Sequence, residues 1–305
     1  MSKPWDSDSW LPEVSDWVRV QLGEQPQSLD LMHQYSWSAM VRVQSSRGLS
    51  YFKATSPAMR FEAALTYELT HWRPDVTVDL LAHDPEQGWL LMADSGATLR
   101  ELNAAHRDKE RMRTVFRTYA QLQIDTVSQT RKYLRLGLPE RTVSSVVAGG
   151  KRLGVSPDLL DALALDVNRL ELPVTLVHEE VHDVNVLIRD GLTVFIDWSD
   201  SSVGHPFFGV VVALRSVSDK WELEPGDEFL EDLVDAYLEP WTYLAPQADL
   251  RGVFSAAYRL GMLNRALSWE AGTTGLDEEA ARDDREYVAA WLDEFRAADD
   301  PKPGT

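Results

Sequence analysis

The sequence predicts an α+β chain with two lobes, a small antiparallel-sheet lobe followed by a mainly helical one. Three observations carry this. Residues 29–55 and 76–93 hold short apolar runs broken by turn residues, which is strand-and-hairpin patterning. Beyond Asp94-Ser95-Gly96 the apolar spacing becomes helical. Helical segments also lie before and between the strand runs, and that mixture suits an antiparallel sheet with helices packed on it. The expected division is 1–94 for the first lobe and 95–305 for the second.

The elements follow in order. Ser9 to Leu22 reads as an amphipathic helix through Leu11, Val14, Trp17, Val18 and Leu22, with Gly23 as its stop. Met40, Val41 and Val43 precede a turn at Ser45-Ser46-Arg47-Gly48, and Leu49 to Ala54 forms the returning strand. Taken alone, Lys53 in that strand reads as a solvated edge lysine. A helix is expected over Ala58 to Trp72 on Phe61, Leu65 and Leu69, ended by Arg73-Pro74. Val76 to Ala82 and Gly88 to Ala93 are the next strands.

In the second lobe, helices are expected at Leu99–Ala105, Lys109–Leu134, Arg141–Ala148 and Pro157–Leu170. Val184–Ile188 and Thr193–Ile196 flank Arg189-Asp190-Gly191, and Asp-Gly between apolar runs is a strong hairpin signal. Val203–Val217 ends in a buried helix that starts near His205-Pro206. Asp227–Leu238, Phe254–Trp269 and Glu278–Ala297 complete the helices, and the tail from Ala298 is expected to fray.

Composition narrows the function. The formal net charge of -19 argues against a nucleic-acid binder, which needs a basic footprint. It fits solubility, or attraction of an amine-bearing ligand. The absence of cysteine excludes disulfides, thiolate zinc sites and cysteine nucleophiles. No apolar run reaches the ~20 residues that cross a bilayer, and MSKPWDSDSW lacks an apolar signal core, so a cytoplasmic location is expected.

Polar residues concentrate in one apolar stretch, Val177 to Trp198, VHEEVHDVNVLIRDGLTVFIDW. Buried, such groups must be paired or bind something. Asn185 and Asp197 flank the hairpin, so its closure brings both to one end of the ribbon. Two oxygen ligands at one point suit Mg²⁺, which also takes waters and substrate phosphates. Glu180, on the preceding loop, is placed to accept a hydroxyl proton.

The spacing His178, Glu180, Asn185 resembles the catalytic loop H-x-D-x-x-x-x-N of protein kinase-like phosphotransferases. The doubled histidine of HEEVHDVN is similar to the aminoglycoside phosphotransferase and choline kinase-like branch, and Phe195-Ile196-Asp197-Trp198 to its I-D-W/F segment. The resemblance spans Met32 to Phe208. It implies a protein kinase-like fold and a small-molecule kinase that uses ATP and Mg²⁺. Lys53 would hold the α- and β-phosphates and Glu62 would orient it, with Glu68 as the other candidate. Ser36 and Ser38 would lie over the phosphates, and Met92, Ala93 and Asp94 would receive the adenine. Asn185 and Asp197 would hold Mg²⁺, Glu180 would take the position of the base, and His178 would brace the loop beside it.

Two features depart from that pattern. Glu179-Glu180 stands where the branch has Gly-Asp, and Asp183-Val184 where Pro-Gly often precedes the Asn. A kinase-like nucleotide-binding protein without transfer activity is the alternative reading. HEEVH also matches the H-E-x-x-H zinc motif, which requires a continuous helix. The valines crowding residues 174–186 disfavour that helix.

Overall fold

The computed structural model describes residues 4–272 and 282–298. Helix α1 (Trp10–Leu22) precedes three antiparallel strands, β1 (Ser28–Gln34), β2 (Ser38–Ser45) and β3 (Gly48–Thr55). Helix α2 (Phe61–Trp72) follows, then β4 (Leu80–Asp84) and β5 (Trp89–Ala93). The five strands form one sheet in the order β1-β2-β3-β5-β4.

Strand β3 is therefore interior, and its alternating side chains serve two faces. Phe52 packs with Trp10, Val14, Val18, Val41 and Leu91 beneath α1. Lys53 points to the opposite face and is 2% exposed, so it is no solvated edge lysine. The sequence pattern could not show that two further strands lie beyond β3 and close over it.

Strand β6 (Ala97–Thr98) leads into the helical lobe: α3 (Leu99–Ala105), α4 (Lys109–Thr126), α5 (Thr130–Leu136), β7 (Glu140–Arg141), α6 (Val143–Arg152) and α7 (Pro157–Val167). The single helix expected over Lys109–Leu134 is broken after Thr126. The Thr126 hydroxyl donates back to the Gln123 carbonyl at 2.7 Å and accepts from the Leu176 amide at 3.0 Å. Such back-bonding bends helices, and here it also pins the strand that leads to the site. The early part of the run expected as a strand from Val76 meets the helical lobe instead, where the Phe195 amide donates to the Val76 carbonyl at 2.9 Å.

Short strands β8 (Thr175–Val177), β9 (Val186–Arg189), β10 (Leu192–Phe195) and β11 (Ser202–Gly204) carry the polar stretch. Asp190 and Gly191 both adopt positive φ, 52° and 83°, as a two-residue turn of the I′ kind requires. His205 accepts at Nδ1 from the Phe207 amide and caps the 3-10 turn leading into α8 (Val210–Trp221). Helices α9 (Glu228–Leu238), α10 (Gln247–Gly272) and α11 (Arg282–Ala297) close the lobe. The expected start of the last helix at Glu278 lies outside the described residues, as does the tail beyond residue 298.

The architecture is a protein kinase-like fold, with an antiparallel-sheet lobe and a mainly helical lobe. A cleft of about 950 Å³ lies between them. Among the described residues no helix is long and apolar enough to cross a membrane.

Candidate active site

Lys53 Nζ lies 2.8 Å from Glu62 on α2 and 2.5 Å from Asp197 Oδ1. Glu62 is 1% exposed and also accepts from the Trp198 amide at 2.9 Å. Glu68, the other candidate on α2, pairs with Lys132 on the far side. Burial works against the lysine's charge, yet Asp197 and Glu62 together outweigh it and hold the ammonium form. Burial pushes Glu62 up to about 7 against the pull of Lys53. Burial also acts to raise Asp197, but the charge and hydrogen bond of Lys53 overcome it and hold this carboxyl well below the usual range.

Asp197 stands at φ 65°, just past β10, in the left-handed region that costs a non-glycine residue roughly 1 kcal/mol or more. That turn aims its carboxylate at the cleft. Hairpin closure sets Asn185 beside it, with the Ile196 amide donating to the Asn185 carbonyl at 3.0 Å. The Asn185 amide nitrogen is occupied by the Glu180 carbonyl at 3.1 Å and by His182 Nε2 at 3.2 Å, which leaves its Oδ1 as the acceptor. Asp197 Oδ1 takes Lys53 and Ser199, which leaves Oδ2 without a protein partner among the described residues. Two hard oxygens on adjacent backbone segments fit a Mg²⁺ ion.

Residues 178–185 form a loop rather than a helix, so the zinc-motif geometry is absent. His178 is fully buried and does not line the cleft. Its Nε2 donates to the Ile196 carbonyl at 2.9 Å and its Nδ1 accepts from the Glu180 amide at 3.3 Å. Both ring nitrogens are thus occupied, and burial lowers the ring pKa to about 4, so it is neutral at pH 7. It ties the loop to the segment that carries Asp197.

Glu180 lines the cleft, as do Ser38, Met92, Ala93 and Asp94, whereas Ser36 in the β1–β2 turn is not among the lining residues. Glu179, which occupies the glycine position of the resembled loop, shows why glycine suits it: its φ is 67°. Its side chain turns away from the cleft into the lobe, where Ser202 and Ser268 donate to its two oxygens. The second negative charge is thereby kept out of the cleft lining.

Sequence reasoning missed a third wall, made by α10. Arg265, Ser268 and Trp269 fall at i, i+3 and i+4 and share one helix face. Arg265, 1% exposed, contacts Glu180 and lies 3.2 Å from Asp200 and 3.6 Å from Glu179. Gly261, one turn earlier, permits this placement. A Cβ there would lie 2.6 Å from Val211 and 2.9 Å from the Phe208 carbonyl oxygen. Trp269 meets Trp37 of the β1–β2 turn edge to face at 5.5 Å, joining the two lobes across the cleft mouth. The spacing of Arg265, Ser268 and Trp269 was visible in the sequence, but nothing tied it to the loop.

A family model described as the phosphotransferase enzyme family matches residues 62–248. The chain belongs to that family. Its matched segment runs from Glu62 through the loop, the hairpin and α9. Solved structures with the same fold include an ethanolamine kinase from Plasmodium vivax (TM-score 0.65, 13% identity, covering 95% of this chain and 90% of that one). A macrolide 2'-phosphotransferase from Brachybacterium faecium gives a TM-score of 0.56 at 17% identity, covering 90% and 97%. A thermostable aminoglycoside phosphotransferase mutant, solved with ADP and hygromycin B, gives 0.57 at 15% identity, covering 94% and 99%. No curated protein sequence matches the chain. At these identities the family's structural relatives share its fold, and the site residues above are this chain's own.

Proposed function

We propose that the protein is an ATP- and Mg²⁺-dependent small-molecule phosphotransferase that moves the γ-phosphoryl group to a hydroxyl of an amine-bearing acceptor. The observation that carries this reading is the buried Lys53 held between Glu62 and Asp197, with Asn185 alongside, at the floor of an interlobe cleft. We place the lobe boundary at Asp94, directly after the last strand of the sheet.

In this reading Lys53 binds the α- and β-phosphates, and Glu62 keeps the ammonium aimed at them. Ser38 faces the phosphates, with Ser36 in the turn above, and the backbone of Met92, Ala93 and Asp94 receives the adenine. Asn185 and Asp197 would hold Mg²⁺, which when bound neutralises charge on the phosphate oxygens. The acceptor oxygen attacks the γ-phosphorus, the bond to the β–γ bridging oxygen breaks, and ADP leaves. Glu180 takes the hydroxyl proton, while His178 fixes the loop on which Glu180 stands. Positioning and charge neutralisation provide most of the acceleration. The net charge of -19 favours a cationic acceptor at the encounter stage.

The test is nucleotide binding with and without Mg²⁺, followed by ADP release across a panel of alcohols, with and without amines. Mg²⁺-dependent binding and turnover are expected, with turnover lost in Glu180→Gln and Asp197→Asn. A folded protein that binds no nucleotide in the presence of Mg²⁺ would refute the reading.

A further inference from the structure

The loop's departure from the resembled pattern has a counterpart on a distant helix. Glu180 is one methylene longer than aspartate and has one more torsion to fix. Its Oε1 is gripped by Arg265, and its Oε2 lies 3.3 Å from His182 Nε2. The same guanidinium contacts Asp200 and Glu179. Burial alone would raise the Glu180 pKa, but Arg265 outweighs it and holds the group ionised. The Glu179 oxygens are taken by Ser202 and by Ser268, one turn beyond Arg265 on α10. Glu-Glu on the loop and Arg-x-x-Ser on α10 therefore form one interlocked set.

We propose that Arg265 is a positioning residue for the transfer reaction, clamping the longer Glu180 carboxylate so that one oxygen stays directed at the acceptor hydroxyl. The assignment rests on the phosphotransferase reading. It predicts that Arg265 affects turnover far more than nucleotide binding, because its ion-pair partners are Glu179, Glu180 and Asp200 rather than Lys53, Glu62 or Asp197.

The experiment follows ADP release with MgATP and water as acceptor, from pH 4.5 to 9, alongside MgATP affinity by calorimetry. In Arg265→Gln, MgATP affinity is expected to stay within about threefold. The kcat is expected to fall by ~10²-fold, the cost of a misplaced catalytic group. Arg265→Lys keeps the charge but not the planar fork, and is expected to lose about tenfold in kcat with MgATP affinity unchanged. If Arg265→Gln does not fold, Arg265→Lys decides, since an unchanged kcat there overturns the assignment. Loss of kcat matched by equal loss of MgATP affinity makes Arg265 merely structural and also overturns it. Wild-type turnover with unaffected Arg265 variants sinks this assignment alone. A wild type that neither binds MgATP nor releases ADP sinks the phosphotransferase reading as well.

Discussion

Two buried cations organise the cleft, and they differ in how they are held. Lys53 is a flexible point charge on an interior strand, with one carboxylate from α2 and one from the turn after β10. Arg265 is a planar fork on a helix and meets three carboxylates, two of them adjacent in sequence. In the proposed reading, lysine suits a site where the ammonium must swing from Asp197 to an incoming phosphate. The guanidinium's fixed donors suit a site where geometry must not change. The first cluster is built to be disturbed by a ligand, the second to resist disturbance.

The largest test of that contrast is Lys53→Met. Removing the cation leaves Glu62 buried and unpaired, which is expected to destabilise the fold by ~3–5 kcal/mol and to abolish measurable ADP release. Denaturant titration and the turnover assay check both. Retained turnover would mean that the phosphates are held elsewhere and that the two clusters do not divide the work as described.

A smaller, signed effect is expected at Asp200. Burial pushes this carboxyl up to about 6, opposed by Arg265 and reinforced by Glu180, Asp197 and Glu179. An unfolded aspartate ionises near 3.9. Between those values the folded chain holds more protons than the unfolded one, so Asp200 lowers stability as pH rises through that window. With its side chain partly exposed, Asp200→Asn is expected to be more stable than wild type by about 1–2 kcal/mol at pH 8. The difference should vanish near pH 4. Asp197 runs the other way, because its depressed pKa contributes stability above the unfolded value that is lost in acid. A variant destabilised equally at both pH values would show that the Asp200–Arg265 contact outweighs its burial.

The smallest effect belongs to α2. Glu68→Gln removes a half-exposed pair with Lys132 and should change stability by less than about 1 kcal/mol. ADP release should match wild type, whereas Glu62→Gln should depress it. Equal losses in the two would erase the distinction between them.

The Lys53 cluster was legible because each of its parts lies in a local pattern. The lysine sits in an apolar strand, Glu62 opens a helix, and Asp-Gly closes the hairpin that joins Asn185 to Asp197. Its burial was not legible, since the pattern of β3 is silent about which strands flank it. The Arg265 cluster was hidden because Arg265 is 85 residues from Glu180. Its helix also reads as an ordinary Ala/Leu face packed on the core. The break after Thr126 was missed for the same kind of reason, since it depends on a threonine hydroxyl meeting the amide of a remote strand.

The indole of Trp37 against that of Trp269 has an optical consequence. Their ring centroids lie 5.5 Å apart in an edge-on arrangement, so each indole forms part of the other's immediate surroundings. Trp269 is further stacked on Tyr287 at 4.4 Å, so a row of chromophores crosses from the sheet lobe to α11. With 11 tryptophans in the chain, the difference in emission between wild type and Trp37→Phe isolates this pair, and any parting of the lobes must first separate these two rings.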